Sequence, residues 1–305
     1  MEEKEKYVVV FGGSSWDSTF KQREDLSFPT EADISLPGGK GANQAVAIAR
    51  AGYKVKMITV LGDDDAGIKI LENLMDNNID VSRVKILKNT KSDGARLFVS
   101  LEGDNNIKRM RQAIDKFNVK MIADNTDILK NAEYVVTQSK IPRKVLESLI
   151  NYCYKNKIKT VLTPSPASGL EITNPKNRTL LEKVTHITAN EIETKVMMQN
   201  EDFEACVDSL PNLIATAGSK GVHFCDENGC FAHVPAIIPK EVKDSTGAGD
   251  TFCGNFLVAL LNGFTKTQAV KMGVWAATLK LEKFGAQPGM PTKEELLART
   301  KDLTI

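Results

Sequence analysis

Short apolar runs alternate with longer stretches of helical periodicity along the chain. Tyr7-Val8-Val9-Val10-Phe11 is unbroken and ends at Gly12-Gly13, which predicts a buried strand. Residues 43–51 are alanine-rich and helical, and 54–61 read as the next strand. Residues 66–75 predict an amphipathic helix with Ile68, Leu71 and Met75 on its apolar side. The rhythm returns with strands at 134–136, 159–162, 186–188 and 212–216. Helices are expected between and after them, at 143–154, 190–198, 251–262 and 266–284. Strands separated by such helices imply βαβ units and a mainly parallel sheet covered on both faces.

Two stretches break the rhythm. Residues 16–37 are polar and irregular, and 94–101 are strand-like, with a turn expected at Glu102-Gly103-Asp104-Asn105. Both read as a small β excursion, a lid drawn from about 16–37 and 94–112. With no low-complexity linker and no repeat, residues 1–305 are expected to form one domain.

Composition narrows the function classes. Lys+Arg 40 against Asp+Glu 39 gives a net charge of +1, which argues against a nucleic-acid or membrane-surface protein. Apolar residues at 42% and charged residues at 26% suit a globular chain. There is no apolar run of 18 residues, and the charged start Met1-Glu2-Glu3-Lys4-Glu5-Lys6 does not read as a signal peptide. The five scattered cysteines fit reduced thiols in the cytoplasm. Cys225 and Cys230 have the wrong spacing for a zinc knuckle, and His186, His223 and His233 are expected to form no cluster.

Chemistry concentrates in two glycine-rich segments. Asp244-Ser245-Thr246-Gly247-Ala248-Gly249-Asp250-Thr251-Phe252 places an open turn before a long helix. Free N–H groups and the positive helix end make such a turn an anion site. Asp250 beside a bound anion suits a general base towards an alcohol; it could equally cap the helix. Gly38-Gly39-Lys40-Gly41-Ala42-Asn43-Gln44-Ala45 also opens a helix. It is neither a Walker A loop nor a dinucleotide fingerprint. Lys40 and Asn43 there suit hydroxyl recognition, or a plain helix entry with a solvated lysine.

Together these segments resemble the two signature regions of the ribokinase-like (PfkB) carbohydrate and nucleoside kinases. Gly62-Asp63-Asp64, Asn190-Glu191-Ile192-Glu193, Thr216-Ala217-Gly218-Ser219-Lys220-Gly221 and Gly285-Ala286-Gln287-Pro288 match further landmarks in order. The resemblance implies an α/β fold, a three-layer αβα sandwich with a mainly parallel sheet and a small, reduced β lid. It implies ATP as phosphoryl donor and a sugar or nucleoside hydroxymethyl group as acceptor, with D-ribose the default. By similarity Asp250 is the base, and the N–H groups of Gly247, Ala248 and Gly249 stabilise the transferring phosphoryl. Ser15, Asp17, Gly39, Lys40, Asn43 and Lys140 would bind the acceptor. Asn190, Thr216, Gly218, Ser219, Lys220, Gly221 and Gly249 would face the nucleotide. Asn190 and Glu193 would hold Mg²⁺ through water. Asp244, Thr246, and carbonyls near Lys283 and Gly285, would hold K⁺.

The chain departs from the family pattern in places. Ser15 stands for Asn, Lys140 for a sugar-facing glutamate, and Gln112-Ala113-Ile114 for a Gly-Ala-Asn stretch. Gly289 stands where a hydroxyl often helps hold the cation. The segment before Gly38 is short, which counts against a homodimer formed through the lid. Lys140, or Lys108, Arg109 and Arg111, could meet an anionic acceptor. The same residues could be a solvated face. Fructose, a sugar acid, a sugar phosphate or a nucleoside are the alternative acceptors. A catalytically weak binding protein on this fold is the alternative class, and a nicotinamide-dependent dehydrogenase stands further off because Gly-x-Gly-x-x-Gly is missing.

Overall fold

A computed structural model describes residues 5–101 and 105–300. Met1 to Lys4 of the charged start and Glu102-Gly103-Asp104 of the expected turn lie outside them. The strands are β1 (Val8–Phe11), β2 (Ser15–Lys21), β3 (Ile34–Gly38), β4 (Val55–Ile58), β5 (Val60–Gly62), β6 (Lys85–Leu87), β7 (Gly94–Val99), β8 (Asn105–Met110), β9 (Tyr134–Gln138), β10 (Lys159–Thr163), β11 (His186–Asn190), β12 (Leu213–Thr216), β13 (Val222–Cys225) and β14 (Phe231–Val234). The helices are α1 (Lys40–Arg50), α2 (Asp65–Asp76), α3 (Lys120–Ala123), α4 (Thr126–Asn131), α5 (Arg143–Lys155), α6 (Pro175–Leu181), α7 (Glu191–Met198), α8 (Phe203–Ser209), α9 (Ala248–Leu261), α10 (Lys266–Leu281), α11 (Ala286–Gly289) and α12 (Lys293–Thr300).

Eight strands form the main sheet in the order β14-β13-β12-β11-β10-β9-β1-β4. The pairs from β12 to β4 are parallel, and β13 runs against both of its neighbours. Successive side chains of β1 point to opposite faces. Val9 and Phe11 pack with α4, α5 and α6, while Val8 and Val10 pack with α1, α2 and α9. Helices therefore cover both faces, and a strand buried on both sides must be apolar throughout. Among the described residues no helix is long and apolar enough to cross a membrane.

The polar stretch 16–37 holds more order than its composition suggests. β2 and β3 pair antiparallel, β2 pairs parallel with β7, and β7 pairs antiparallel with β8. This four-stranded sheet is small beside the main one. Its strands are mostly half-buried, so they lack a clean apolar alternation. Phe20, Phe28 and Phe98 knit it together, with ring centroids 5.1 and 5.3 Å apart.

The apolar side of α2 differs from the sequence expectation. Ile68 and Met75 are 56% and 48% exposed, whereas Ile70 and Leu74 are buried at 1% and 0%. The cause lies at the helix start. Asp64 caps it by accepting from the Gly67 N–H at 3.0 Å. A Cβ on Gly67 would lie 2.2 Å from the Gly62 carbonyl oxygen, so this face is pressed against β5. Positions 67, 70 and 74 follow one another on that face. Ile70→Ala is therefore expected to cost about 2–5 kcal/mol, and Ile68→Ala within about 0.5 kcal/mol of nothing, by denaturant midpoints. Equal losses would mean the register is wrong.

Candidate active site

The ends of β1, β9, β10, β11 and β12 meet the starts of α1 and α9 along one edge of the main sheet. In parallel α/β sheets that carboxyl edge is where ligands bind. The loop before α9 is shaped by Asp244, whose carboxylate accepts from the Thr246 N–H at 2.8 Å and the Gly285 N–H at 2.9 Å. Gly247 follows at φ 81°, a left-handed conformation that favours glycine, and is the N-cap of α9. The N–H and the hydroxyl of Thr251 both return to its carbonyl at 2.8 Å. The Ala248 N–H turns back to Ser245 at 3.2 Å, so it is less free than the sequence suggested. Gly249 is exposed at the positive helix end.

Asp250 lies in the first turn of α9, 4% exposed. It is not the cap. Its Oδ2 accepts from Asn43 Nδ2 at 2.9 Å and its Oδ1 from Gln44 Nε2 at 3.1 Å. Burial raises its pKa above the ordinary aspartate value, against the opposing pull of Lys40 and of the two amides. Each amide is held donor-first by a further side chain. Gln287 Nε2 donates to Asn43 Oδ1 at 3.0 Å, and Gln138 Nε2 to Gln44 Oε1 at 2.7 Å. Asn73 Nδ2 in turn holds Gln287 Oε1 at 2.6 Å, and the Gln44 amide also reaches the Thr163 hydroxyl at 2.9 Å. Asn43 thus spends its side chain on Asp250 and Gln287. Sequence reasoning missed Gln44, Gln138, Thr163 and Gln287. Gln44 and Gln287 stand inside the quoted motifs, and that was the available signal.

A small pocket lies next to this network. It is lined by four of the candidate acceptor residues, Ser15, Gly39, Lys40 and Lys140, together with Ser14, Asp93 and Gln138. Gln138 joins the pocket to Asp250 through Gln44. A Cβ on Gly41 would lie 2.7 Å from backbone atoms of Gly12 and Gly13, so glycine lets α1 start against the end of β1. Asp17 sits beside the pocket on β2. Its Oδ1 accepts from the Ala95 N–H at 2.9 Å, and burial raises its pKa against Ser15, Ala95 and Lys140. Asp93 is 5% exposed and accepts from the N–H groups of Gln112, Ala113 and Ile114 at 2.7–3.0 Å. Lys140 is pulled down by burial and held up by Asp93 and Asp17. Of the basic cluster, Arg111 pairs with Asp115 at 2.9 Å and Lys108 lies 5.5 Å from the Phe98 ring centre.

On the other side stand the remaining expected residues. Asn190 and Glu193 form a capping box at the start of α7, with bonds of 2.8 and 3.0 Å. Glu193 Oε1 is 4.0 Å from Lys40 Nζ, which connects this turn to that pocket. Thr216 is the cross-strand partner of Asn190. Gly218, Ser219 and Lys220 form a tight turn closed by Gly221. Lys220 Nζ reaches Glu191 at 2.9 Å. Against expectation His223 and His233 stack, at 4.6 Å between centroids, because β13 and β14 place them opposite each other. Among the described residues no group of three or more His, Cys, Asp or Glu side chains could hold a metal ion.

Residues 5–293 match the family model for pfkB family carbohydrate kinase. The ribokinase of Lactococcus lactis subsp. lactis is 35% identical over 272 residues, covering 88% of this chain and 87% of its own. The ribokinase of Bacillus subtilis is 33% identical over 263 residues, covering 86% and 87%. The fold is shared with the solved structure of Arabidopsis thaliana ribokinase complexed with ribose and ATP, with a TM-score of 0.83 at 24% identity, covering 96% and 98%.

Proposed function

The chain belongs to the pfkB family of carbohydrate kinases, and from that premise we propose that it transfers the γ-phosphoryl group of ATP to the primary hydroxyl of D-ribose. The observation that carries the reading is the buried Asp250, aimed by two amide donors and joined to the pocket through Gln44 and Gln138. The acceptor hydroxyl gives its proton to the Asp250 carboxylate. Its oxygen bonds to the γ-phosphorus as the bond to the β-bridging oxygen breaks, in line. The N–H groups at Gly247 and Gly249, with the α9 dipole, stabilise charge on the group in flight. Lys40 lies between the pocket and Glu193 and is placed to meet both substrates.

On the nucleotide side, the 216–221 turn and the loop after β14 would take the purine. Ile238 and Val242 on that loop are 89% and 62% exposed, apolar surface suited to a base. Mg²⁺ fits here through Glu193, because it keeps its waters and rests mainly on phosphates. When bound it neutralises phosphate charge. Asn190 supports Glu193 through the capping box. The small sheet of β2, β3, β7 and β8 acts as a lid on one kinase domain. The five free cysteines suit a reducing compartment such as the cytoplasm.

A neutral acceptor is favoured over an anionic one. Lys140 is set against Asp93 and Asp17, which offsets its charge locally. Arg111 is held by Asp115 and by the Lys140 carbonyl at 3.2 Å, and Lys108 lies over the Phe98 ring. An ADP-release assay over ribose, fructose, sugar acids, sugar phosphates and nucleosides tests this. D-Ribose is expected to lead by about tenfold or more in kcat/KM. A sugar acid or sugar phosphate in first place would overturn the acceptor assignment.

A further inference from the structure

Lys280 is the most deeply buried cation described. It lies in the last turn of α10 and its side chain is 0% exposed. Lysine is almost never fully buried without partners. Its partners are unusual for a lysine. Nζ donates to the carbonyl oxygen of Asp244 at 2.8 Å and to that of Lys283 at 3.2 Å, with Asp244 Oδ2 at 4.0 Å. Two carbonyls and a carboxylate around one positive charge are the donor set of a cation site. They come from the two loops, 244–246 and 283–285, that the family resemblance sets around K⁺.

The residues present do not fit an exchangeable ion. The Asp244 carboxylate already accepts the N–H groups of Thr246 and Gly285. The ammonium occupies the space between the carbonyls. Gly289 makes that possible. A Cβ there would lie 2.9 Å from Lys280 Cδ and 3.1 Å from Cε. A serine at 289, the hydroxyl-bearing alternative, would collide with the lysine stem. The two departures therefore compensate: glycine removes a ligand and admits the chain that carries the replacement charge. Burial pulls the Lys280 pKa below the usual lysine range while Asp244 holds it up. Asp244 itself is raised by burial, but its hydrogen bonds to Thr246 and the charge of Lys280 bring it below the ordinary value.

We infer that the Lys280 ammonium is a tethered cation that takes the place of K⁺ beside the anion hole, so that the enzyme needs no monovalent metal ion. Asp244 links the charge to the hole: its carbonyl takes the Lys280 ammonium, and its carboxylate holds the turn that leads into Gly247. The inference rests on the kinase reading for its consequence, but the occupancy of the site can be tested without it.

Thallium(I) NMR reports occupancy, with Tl⁺ as the probe for K⁺. The native protein is expected to show no bound Tl⁺ that Asp244→Ala abolishes. The pair Lys280→Ala with Gly289→Ser, which reopens the space and restores a hydroxyl, is expected to gain one. Bound Tl⁺ in the native protein, lost in Asp244→Ala, would overturn the proposal whatever the enzyme phosphorylates. Activity supplies the second measurement. Native rates in potassium, sodium and tetramethylammonium chloride at equal ionic strength should agree within about twofold, since the local charge is built in. The double variant should fall about tenfold or more in tetramethylammonium and recover in potassium. Several-fold activation of the native enzyme by K⁺ would also overturn it. Absence of ribose phosphorylation in every salt would count against the substrate reading alone, because the thallium result stands apart from it.

Discussion

Asp250→Asn is expected to lower kcat by about two to four orders of magnitude, with KM for both substrates nearly unchanged. The substitution keeps the shape, removes the proton acceptor and sets one NH2 group against an amide donor, which costs stability more than substrate binding. The donors from Asn43 and Gln44 reach separate carboxylate oxygens, so neither oxygen is spent on capping α9. A cap would have tolerated Asn almost without cost. Steady-state kinetics with circular dichroism as a fold control measures it. A loss of only a few-fold would remove Asp250 from the chemistry. The pH dependence gives a second readout. The base must be ionised, and burial raises its pKa above the ordinary 3.8. The acid limb of kcat should therefore lie above that value and vanish in the variant. The stability sign is opposite. A raised folded pKa means the native state holds the proton more tightly. Its contribution is full below the unfolded value and is lost as pH rises through the folded one. The native enzyme thus carries a buried charge that activity needs and stability does not.

What the sequence showed of this site was what lies close along the chain. Gly247 to Asp250 is one turn feeding one helix, and its chemistry can be read from adjacency. The network that aims Asp250 joins positions 206 and 207 residues apart, and Asn43 to Gln287 spans 244. No periodicity carries such a pairing, because it exists only once α1, β9 and α9 converge at the sheet edge. Likewise the buried strands were legible as continuous apolar runs, whereas β2 and β3 were not. Their half-buried faces mix Ser, Thr and Asp with Trp and Leu. The α2 register turned on a glycine contact across the fold rather than on local spacing. Lys140 is the clearest case of a charge whose surroundings the sequence does not show. Alone it suggests an anionic acceptor, but folding sets Asp17 and Asp93 beside it.

Gly247→Ala is expected to lower kcat by about a hundredfold to a thousandfold, the scale of losing one anion-hole donor. Two costs combine. At φ 81° an L-residue pays about 1–2 kcal/mol against its preferred backbone. The new methyl would also stand 3.0 Å from the Ala286 Cβ and 3.1 Å from its Cα, so one of the two loops must shift. Ala286 follows Gly285, whose N–H is fixed on Asp244, and cannot retreat freely. The relief falls on the 245–249 turn, which swings the N–H groups that should face the phosphoryl. Because these groups act on charge that develops during transfer, kcat should fall more than KM for ATP rises. Gly263→Ala separates strain from chemistry. It has a similar φ of 87° at the far end of α9, with nothing within 4 Å of its Cβ. It should lower the denaturation midpoint by a comparable strain cost and leave kcat unchanged. If both variants lost only stability, with kcat within about threefold of native, the turn would be a structural hinge and not an anion hole.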